Sequence, residues 1–271
     1  MATVSVTTWE EFLEAIAVSG DTVELPEDAL WDMNVIEPLG HLEDITIACA
    51  VINGNGTRIK NLHLTGRFII TSGGTQFNDF YLTDFIGDAP YAANETKGFF
   101  DGKAYFEDSA LSGILGAGYS YLIYYGAQHG TYPFFRCSVY IESTRSWFQL
   151  FDYGGNCRYC RIEIHAANST NSTPTGATKC EYCECIFYCP NATGNFYSIY
   201  YQGCTVRGNM QSVTSDGSWY GQFGAVSVYF ADMFAVAYVP QDPSGFIACT
   251  EEQLKDPEYL RSKGFPIVVS G

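Results

Sequence analysis

One unit recurs along most of the chain: an apolar residue, two mostly polar residues, a second apolar residue, any residue, then a third apolar residue. Eight copies fit, at Leu42/Ile45/Ile47, Ile59/Leu62/Leu64, Phe77/Phe80/Leu82, Phe106/Ser109/Leu111, Phe134/Cys137/Val139, Cys157/Cys160/Ile162, Cys180/Cys183/Cys185 and Tyr201/Cys204/Val206. Their first positions are separated by 17, 18, 29, 28, 23, 23 and 21 residues, and Ser109 is the one polar occupant when Cys and Tyr count as apolar. The last two positions share one face of a strand, and the first lies across a two-residue corner. Corners such as Lys60-Asn61, Asn78-Asp79 and Glu107-Asp108 hold residue types that tolerate tight bends. Further strand-like runs lie between copies: RFII (67–70), SYLIYY (120–125), SWFQLF (146–151) and NFYSIYY (195–201). Each copy thus supplies two or three short strands and one turn of a coil.

A period of roughly 20 to 30 residues, without recurring helices, predicts an all-β chain wound as a single-stranded right-handed parallel β-helix. About eight rungs are expected, stacked about 4.8 Å apart, with a helical cap at each end. A β-sandwich or jelly roll also has many short strands, but does not require the same apolar-corner-apolar unit eight times. The division is residues 1–30 for the N-terminal cap helix and first strand, 31–215 for the coil, and 216–271 for the last strands and C-terminal cap. Thr8 and Glu11 have capping-box spacing, and Trp9, Phe12, Leu13 and Ile16 form one apolar helical face leading to the first strand, DTVELP, after Gly20. At the other end, Thr250 and Gln253 have the same spacing, followed by Leu254, Tyr259, Leu260 and the stop signal Gly264.

Composition narrows the partners. Of 271 residues, 14 are Lys or Arg and 30 are Asp or Glu, a net charge of -16 that repels phosphate backbones and anionic lipid. Nucleic acid is excluded as an expected partner. The most apolar stretch, residues 223–239, is short for a span and carries Asp232 in its middle, so no membrane insertion is expected. The N-terminus has neither a basic region nor an uninterrupted apolar core of the signal-peptide kind. Synthesis in the cytoplasm is therefore expected, with thiols kept reduced there and the virion or cell surface as the destination.

The segments TTWEEFLEAIAVSGDTVELPED (7–28) and ITIACAVINGNGTRIKNLHLTG (45–66) resemble the opening of right-handed β-helix proteins of the pectate-lyase-like superfamily. The tail TEEQLKDPEYLRSKGFP (250–266) is similar to the closing segment of some repeat-bearing bacterial surface and phage proteins. The resemblance implies three classes of function: polysaccharide lyases and hydrolases, virus tailspikes and fibres, and surface adhesins. Fold alone selects none of them.

The enzymatic patterns are incomplete. In the polygalacturonase branch, hydrolysis uses clustered aspartates, then Gly-His-Gly and Arg-Ile-Lys. Here Arg58-Ile59-Lys60 comes early with Ile59 as a core position, His129-Gly130 follows Gln128, and no Asp-Asp pair exists. A lyase would need carboxylates around Ca²⁺ and a basic residue near a uronate. Asp79, Asp84, Asp88, Asp101 and Asp108, with Arg136 one rung on, are the candidates; the competing reading is a row of turn and solubilising acids. His41, His63, His129 and His165 show no ligand spacing, and GNG (54–56) lacks the third glycine of a dinucleotide motif. No catalytic residue and no cofactor is expected.

The aromatic surplus points to binding. In residues 118–135, Tyr119, Tyr121 and Ile123 alternate with Ser120, Leu122 and Tyr124, so both faces of a strand cannot be interior. Tyr119, Tyr121, Tyr124, Tyr125, Trp147, Tyr153, Tyr197 and Tyr200 are the candidate glycan or interface residues, since Tyr and Trp suit surfaces where an apolar face meets water. The expected protein is a non-catalytic virion or surface component of the phage fibre, spike or decoration kind. It is expected to be a homotrimer that binds a host glycan or another virion protein.

The pairs Cys157/Cys160 and Cys180/Cys183 have the spacing of a four-thiolate zinc ribbon. The repeat places them differently, as consecutive rungs in a ladder of core cysteines with Cys137 below and Cys204 above. Positions that take Phe80 and Cys183 alike are specified by packing, which reads as reduced core thiols and no metal. Neighbouring rungs also fall within the Cα range of a disulfide.

Overall fold

In a computed structural model, the chain is a parallel β-solenoid. The structure describes residues 2–37, 42–90, 98–124, 132–152, 155–169, 179–191, 200–202, 204–210, 228–231, 246–248 and 256–262. Three sheets run along the coil. Sheet A takes β1 (Thr3–Ser5), β2 (Thr22–Glu24), β5 (Val51–Asn53), β9 (Thr75–Asn78), β12 (Ala104–Glu107), β15 (Phe134–Phe135), β18 (Asn156–Arg158), β20 (Lys179–Glu181) and β22 (Tyr200–Gln202). Sheet B takes β3 (Leu30–Asp32), β6 (Arg58–Lys60), β7 (His63–Leu64), β10 (Tyr81–Gly87), β13 (Ala110–Leu115), β16 (Ser138–Ser143), β19 (Arg161–His165), β21 (Glu184–Cys189), β23 (Thr205–Met210), β24 (Val228–Ala231) and β25 (Phe246–Ala248). Sheet C takes β4 (Ile45–Ile47), β8 (Phe68–Ile70), β11 (Gly98–Asp101), β14 (Tyr121–Tyr124) and β17 (Gln149–Phe151).

Five turns carry a strand in every sheet, against the eight rungs expected; the coil continues through β18 to β23 in sheets A and B. Among the described residues all pairings are parallel, so positions of successive turns stand in register. On sheet A, Val23, Ile52, Phe77, Phe106, Phe134, Cys157, Cys180 and Tyr201 form one column. On sheet B, Trp31, Ile59, Leu82, Leu111, Val139, Ile162, Cys185 and Val206 form another. Six copies of the unit, from Phe77 onward, therefore sit where the spacing places them.

The first two copies do not. Ile45 and Ile47 lie on sheet C, and Ile59 pairs with Leu82, in the third column of the unit and not the first. The reason is corner length: turn 2 bends through Gly54-Asn55-Gly56-Thr57, so Ile52 and Ile59 are seven residues apart where Phe77 and Leu82 are five. Thr57 fills the place taken elsewhere by Phe80, buried with its hydroxyl bonded to the Pro26 carbonyl. Ser109 is buried in the same way, donating to the Glu107 carbonyl at 2.7 Å and accepting from the Phe80 N–H at 3.1 Å.

The N-terminal end is closed by α1 (Trp9–Ile16). Thr8 and Glu11 form the capping box, and Trp9, Phe12 and Ile16 are buried against the coil, with Trp9 and Phe12 in ring contact with Trp31. Sheet A begins one strand earlier than DTVELP, because Thr3–Ser5 pairs with Thr22–Glu24 ahead of the helix. A four-residue helix, α2 (Met33–Ile36), follows β3 with Asp32 as its N-cap. At the C-terminal end α3 (Pro257–Ser262) is helical, while Thr250, Gln253 and Gly264 lie outside the described residues.

Candidate functional site

From turn 3 to the bend between β20 and β21, a single residue makes each bend between sheets A and B. Asp79, Asp108, Arg136, Tyr159 and Tyr182 occupy this place with φ of 48°, 50°, 53°, 55° and 53°. Left-handed backbone is cheap for Asp, but costs bulkier L-residues roughly 1–2 kcal/mol. Neighbours offset that cost. Arg136 donates through Nε to Asp108 Oδ1 at 2.5 Å and through Nη2 to Asp108 Oδ2 and Glu107 Oε1, both at 2.6 Å. Tyr159 and Tyr182 stack at 5.4 Å with 13° between ring planes.

This placement scatters the five aspartates. Asp79 and Asp108 are corner residues, Asp84 sits at the register shift of β10 beside Lys60, Asp88 follows β10, and Asp101 ends β11 in an ion pair with Arg67. The Arg136 hydrogen bonds hold the Asp108 carboxyl below its usual range, against a smaller opposing effect of burial. Burial raises Asp101 despite Arg67. The acids thus occupy different sides of the coil instead of converging on one calcium site, and among the described residues no group of three or more His, Cys, Asp or Glu is arranged for a metal ion.

The expected aromatic residues divide. Tyr119 is an interior residue: it is fully buried, donates its hydroxyl to the carbonyls of Leu64 and Gly66, and burial pushes that hydroxyl well above the usual phenol range. The alternation argument fails there because the row Leu122, Leu150 and Phe99 is as buried as the row Ile123, Phe151 and Phe100. Tyr121, Tyr124 and Trp147 do come together. Tyr121 stacks on Tyr124 at 5.4 Å and meets Trp147 edge-on at 5.2 Å, with Trp147 exposed. Tyr200 pairs through its backbone with Lys179, and nothing further is described of its side chain. Tyr125, Tyr153, Tyr197, His41 and His129 lie outside the described residues.

The richest grouping is on the outer face of sheet B. The outward positions of successive strands form a continuous row, Ile86, Ile114, Glu142, His165 and Tyr188, with Tyr140 and Glu163 in the row beside it. Strand alternation turns these residues outward because their neighbours Leu115, Ile141, Ile164 and Phe187 fill the core. His165 Nε2 lies 2.8 Å from Glu163 Oε1, and the imidazole ring is 4.5 Å from Tyr188 and 5.2 Å from Tyr140. Tyr140 donates its hydroxyl to Glu142 Oε1 at 2.6 Å; that bond, then burial, push the phenol up to about 12. Arg161 pairs with Glu163 at 3.2 Å and with Glu184 at 3.8 Å.

A groove of about 400 Å³ opens over this row, lined by Ile114, Glu142, Thr144, His165, Asn168 and Tyr188 among others. Its wall is held by backbone-anchored amides: Asn168 donates to the Thr144 carbonyl at 3.2 Å and Asn191 to the Ala167 carbonyl at 2.6 Å. Two carboxylates, an imidazole, two phenols and an exposed Ile114 thus face one surface. That combination offers acceptors for hydroxyl groups beside apolar faces for C–H groups.

The six ladder cysteines are placed in the core. Cys137, Cys157, Cys160, Cys180, Cys183 and Cys204 are all buried, and Cys157 and Cys180 are direct register partners. All nine described cysteines are thiols, and the ladder thiols donate to carbonyls: Cys137 to Phe106, Cys160 to Arg158, Cys183 to Glu181 and Cys204 to Cys180, at 3.1–3.3 Å. The two C-x-x-C pairs lie on two successive turns of a coil, not on a ribbon. Comparison with protein families, curated proteins and solved structures finds no match to this chain.

Proposed function

We propose that the protein is a non-catalytic β-solenoid of a virion or cell surface, of the fibre, spike or decoration kind, which binds a saccharide along the outer face of sheet B. The observation carrying this reading is the groove in which Glu142, His165 and Tyr188 stand in one register row beside Asn168 and exposed Ile114. The Glu142 carboxylate and then the rings of His165 and Tyr188 follow one another at the spacing of the turns, about 4.8 Å, a row along which a sugar chain can lie parallel to the coil axis. The surface is acidic overall, which favours neutral or cationic sugars over polyanions. Trp147 and half-buried Tyr124, packed on the buried ring of Tyr121, offer a second surface, suited to contact between copies in a homotrimer.

A glycan-binding screen tests the reading. Tyr188→Ala and His165→Ala are expected to weaken binding about tenfold each, the scale of a lost ring contact. Equal binding by wild type and both variants, or no retained glycan, overturns it. Mass measurement in solution tests assembly, where a strict monomer removes the trimer.

One observation favours a second reading, a polysaccharide hydrolase. Glu142 and Glu163 lie on neighbouring strands two residues out of register, a Cα separation of roughly 8 Å from strand spacing and rise. Two carboxyl groups flanking a glycosidic bond are the usual requirement for its hydrolysis. Release of reducing ends by the wild type, abolished in Glu142→Gln or Glu163→Gln, ends the non-catalytic reading.

A further inference from the structure

The thiol ladder has a consequence independent of any glycan. Cys157 and Cys180 are register partners on adjacent strands of sheet A, at a Cα separation of about 4.8 Å, inside the 4.4–6.8 Å range of disulfides. Cys160 and Cys183 occupy the same corner place one turn apart, each buried and each donating its thiol to the carbonyl two residues back. The two thiols are also in side-chain contact, as are Cys157 and Cys180. Cys160 also touches Cys137, and Cys183 also touches Cys180 and Cys204, but the two pairs named join equivalent places of one column on successive turns, where the side chains point the same way.

We infer that this ladder is a modification site, in which Cys157 with Cys180 and Cys160 with Cys183 close as two disulfides that staple successive turns. The oxidant is a low-molecular-weight disulfide of the glutathione type. One protein thiolate attacks it, forming a mixed disulfide and releasing one small thiol; the neighbouring protein thiolate then displaces the second small thiol. Two protein S–H groups become one S–S bond, and the reagent disulfide is reduced to two thiols. Burial pushes Cys157 and Cys183 up, so the exchange runs through opening of these turns. A chain that folds reduced would thus be locked on reaching an oxidising environment.

The test incubates the folded full chain with millimolar glutathione disulfide, quenches with acid, and alkylates in denaturant for intact mass and peptide mapping. Loss of four of the ten alkylatable cysteines is expected, with peptides linking Cys157 to Cys180 and Cys160 to Cys183. The oxidised form should melt about 5–10 °C higher, reversibly on reduction, as closure of a loop of this length implies. Cys157→Ala, a small change at a buried thiol, should retain the Cys160–Cys183 link alone. Ten alkylatable thiols after oxidation, stable glutathione adducts without protein disulfides, or the mixture of pairings given by oxidation in denaturant would each overturn the proposal.

Discussion

The same unit is filled in two ways along the coil. In turns 3 to 5 the interior is aromatic: Phe77 and Phe106 stack at 4.5 Å, Phe106 and Phe134 lie 5.4 Å apart, Phe85 and Phe99 stack at 4.5 Å, and Phe134 meets Phe151 at 5.3 Å. In the turns that follow, the equivalent places hold Cys157, Cys160, Cys180, Cys183, Cys185 and Cys204, all fully buried. Backbone register is continuous across the boundary, since Phe134 pairs with Cys157 and Val139 with Ile162. The column thus specifies burial and direction, while side-chain volume adjusts to the local width of the coil. A parallel coil can change its filling without changing its hydrogen-bond ladder, because each turn contacts only its neighbours.

The largest expected effect separates the two fillings directly. Phe106→Ala removes a ring stacked between Phe77 and Phe134 and should cost about 3–5 kcal/mol, read as a lower denaturant midpoint. Cys160→Ala removes one sulfur atom and should cost about 1 kcal/mol, scaled from the loss per buried methylene. Equal costs would mean that the thiol half is held by something beyond packing.

Six of the eight copies were legible in the sequence because the five-residue unit is short and its apolar places face one interior. The first two do not fit because the corners of the early turns are longer, Pro26-Glu27-Asp28-Ala29 in turn 1 and Gly54-Asn55-Gly56-Thr57 in turn 2, and sheet C and sheet B strands there happen to show the same spacing. The row on sheet B was legible in principle: Glu142, His165 and Tyr188 are 23 residues apart, the spacing of the copies that contain them. The apolar unit marks inward places alone, so it carries no information about these outward residues, and His165 shows no ligand spacing with the other histidines. Tyr119 failed in the other direction. Strand alternation says which residues share a face, but not whether a second layer covers that face.

The two halves also differ at their corners: the aromatic half bends at Asp79 and Asp108 and the thiol half at Tyr159 and Tyr182. At φ of 53°, Tyr182 carries the cost of a left-handed side chain and recovers part of it from its stack on Tyr159. Tyr182→Ala keeps the backbone cost and loses the stack, whereas Tyr182→Gly loses the stack but relieves the backbone. The glycine variant should therefore be the more stable of the two by about 1 kcal/mol, reversing the usual order of these residues in a strand. Thermal melts of both variants check this, and alanine above glycine would show that the corner is not strained.

The smallest effect is electrostatic and belongs to the aromatic half. Asp108 is hydrogen-bonded by Arg136, which depresses its carboxyl below the unfolded value of about 3.9. A depressed carboxyl contributes stability above the unfolded value, and loses it as pH falls through the folded one. The window therefore lies below about pH 4. Both side chains are about half exposed, 45% for Arg136 and 50% for Asp108, so solvent screening limits the contribution to about 0.5 kcal/mol. Asp108→Asn keeps a residue that tolerates the corner backbone and removes the titration. Its melting temperature should fall less than that of the wild type between pH 5 and 2.5, by about 1–2 °C, and added salt should shrink the difference. Tyr182→Gly, with no charge at its corner, should show the wild-type acid slope. If the Asp108 variant shows that slope too, Arg136 holds the corner by packing on Phe135, over whose ring its guanidinium sits at 4.4 Å, and not by charge.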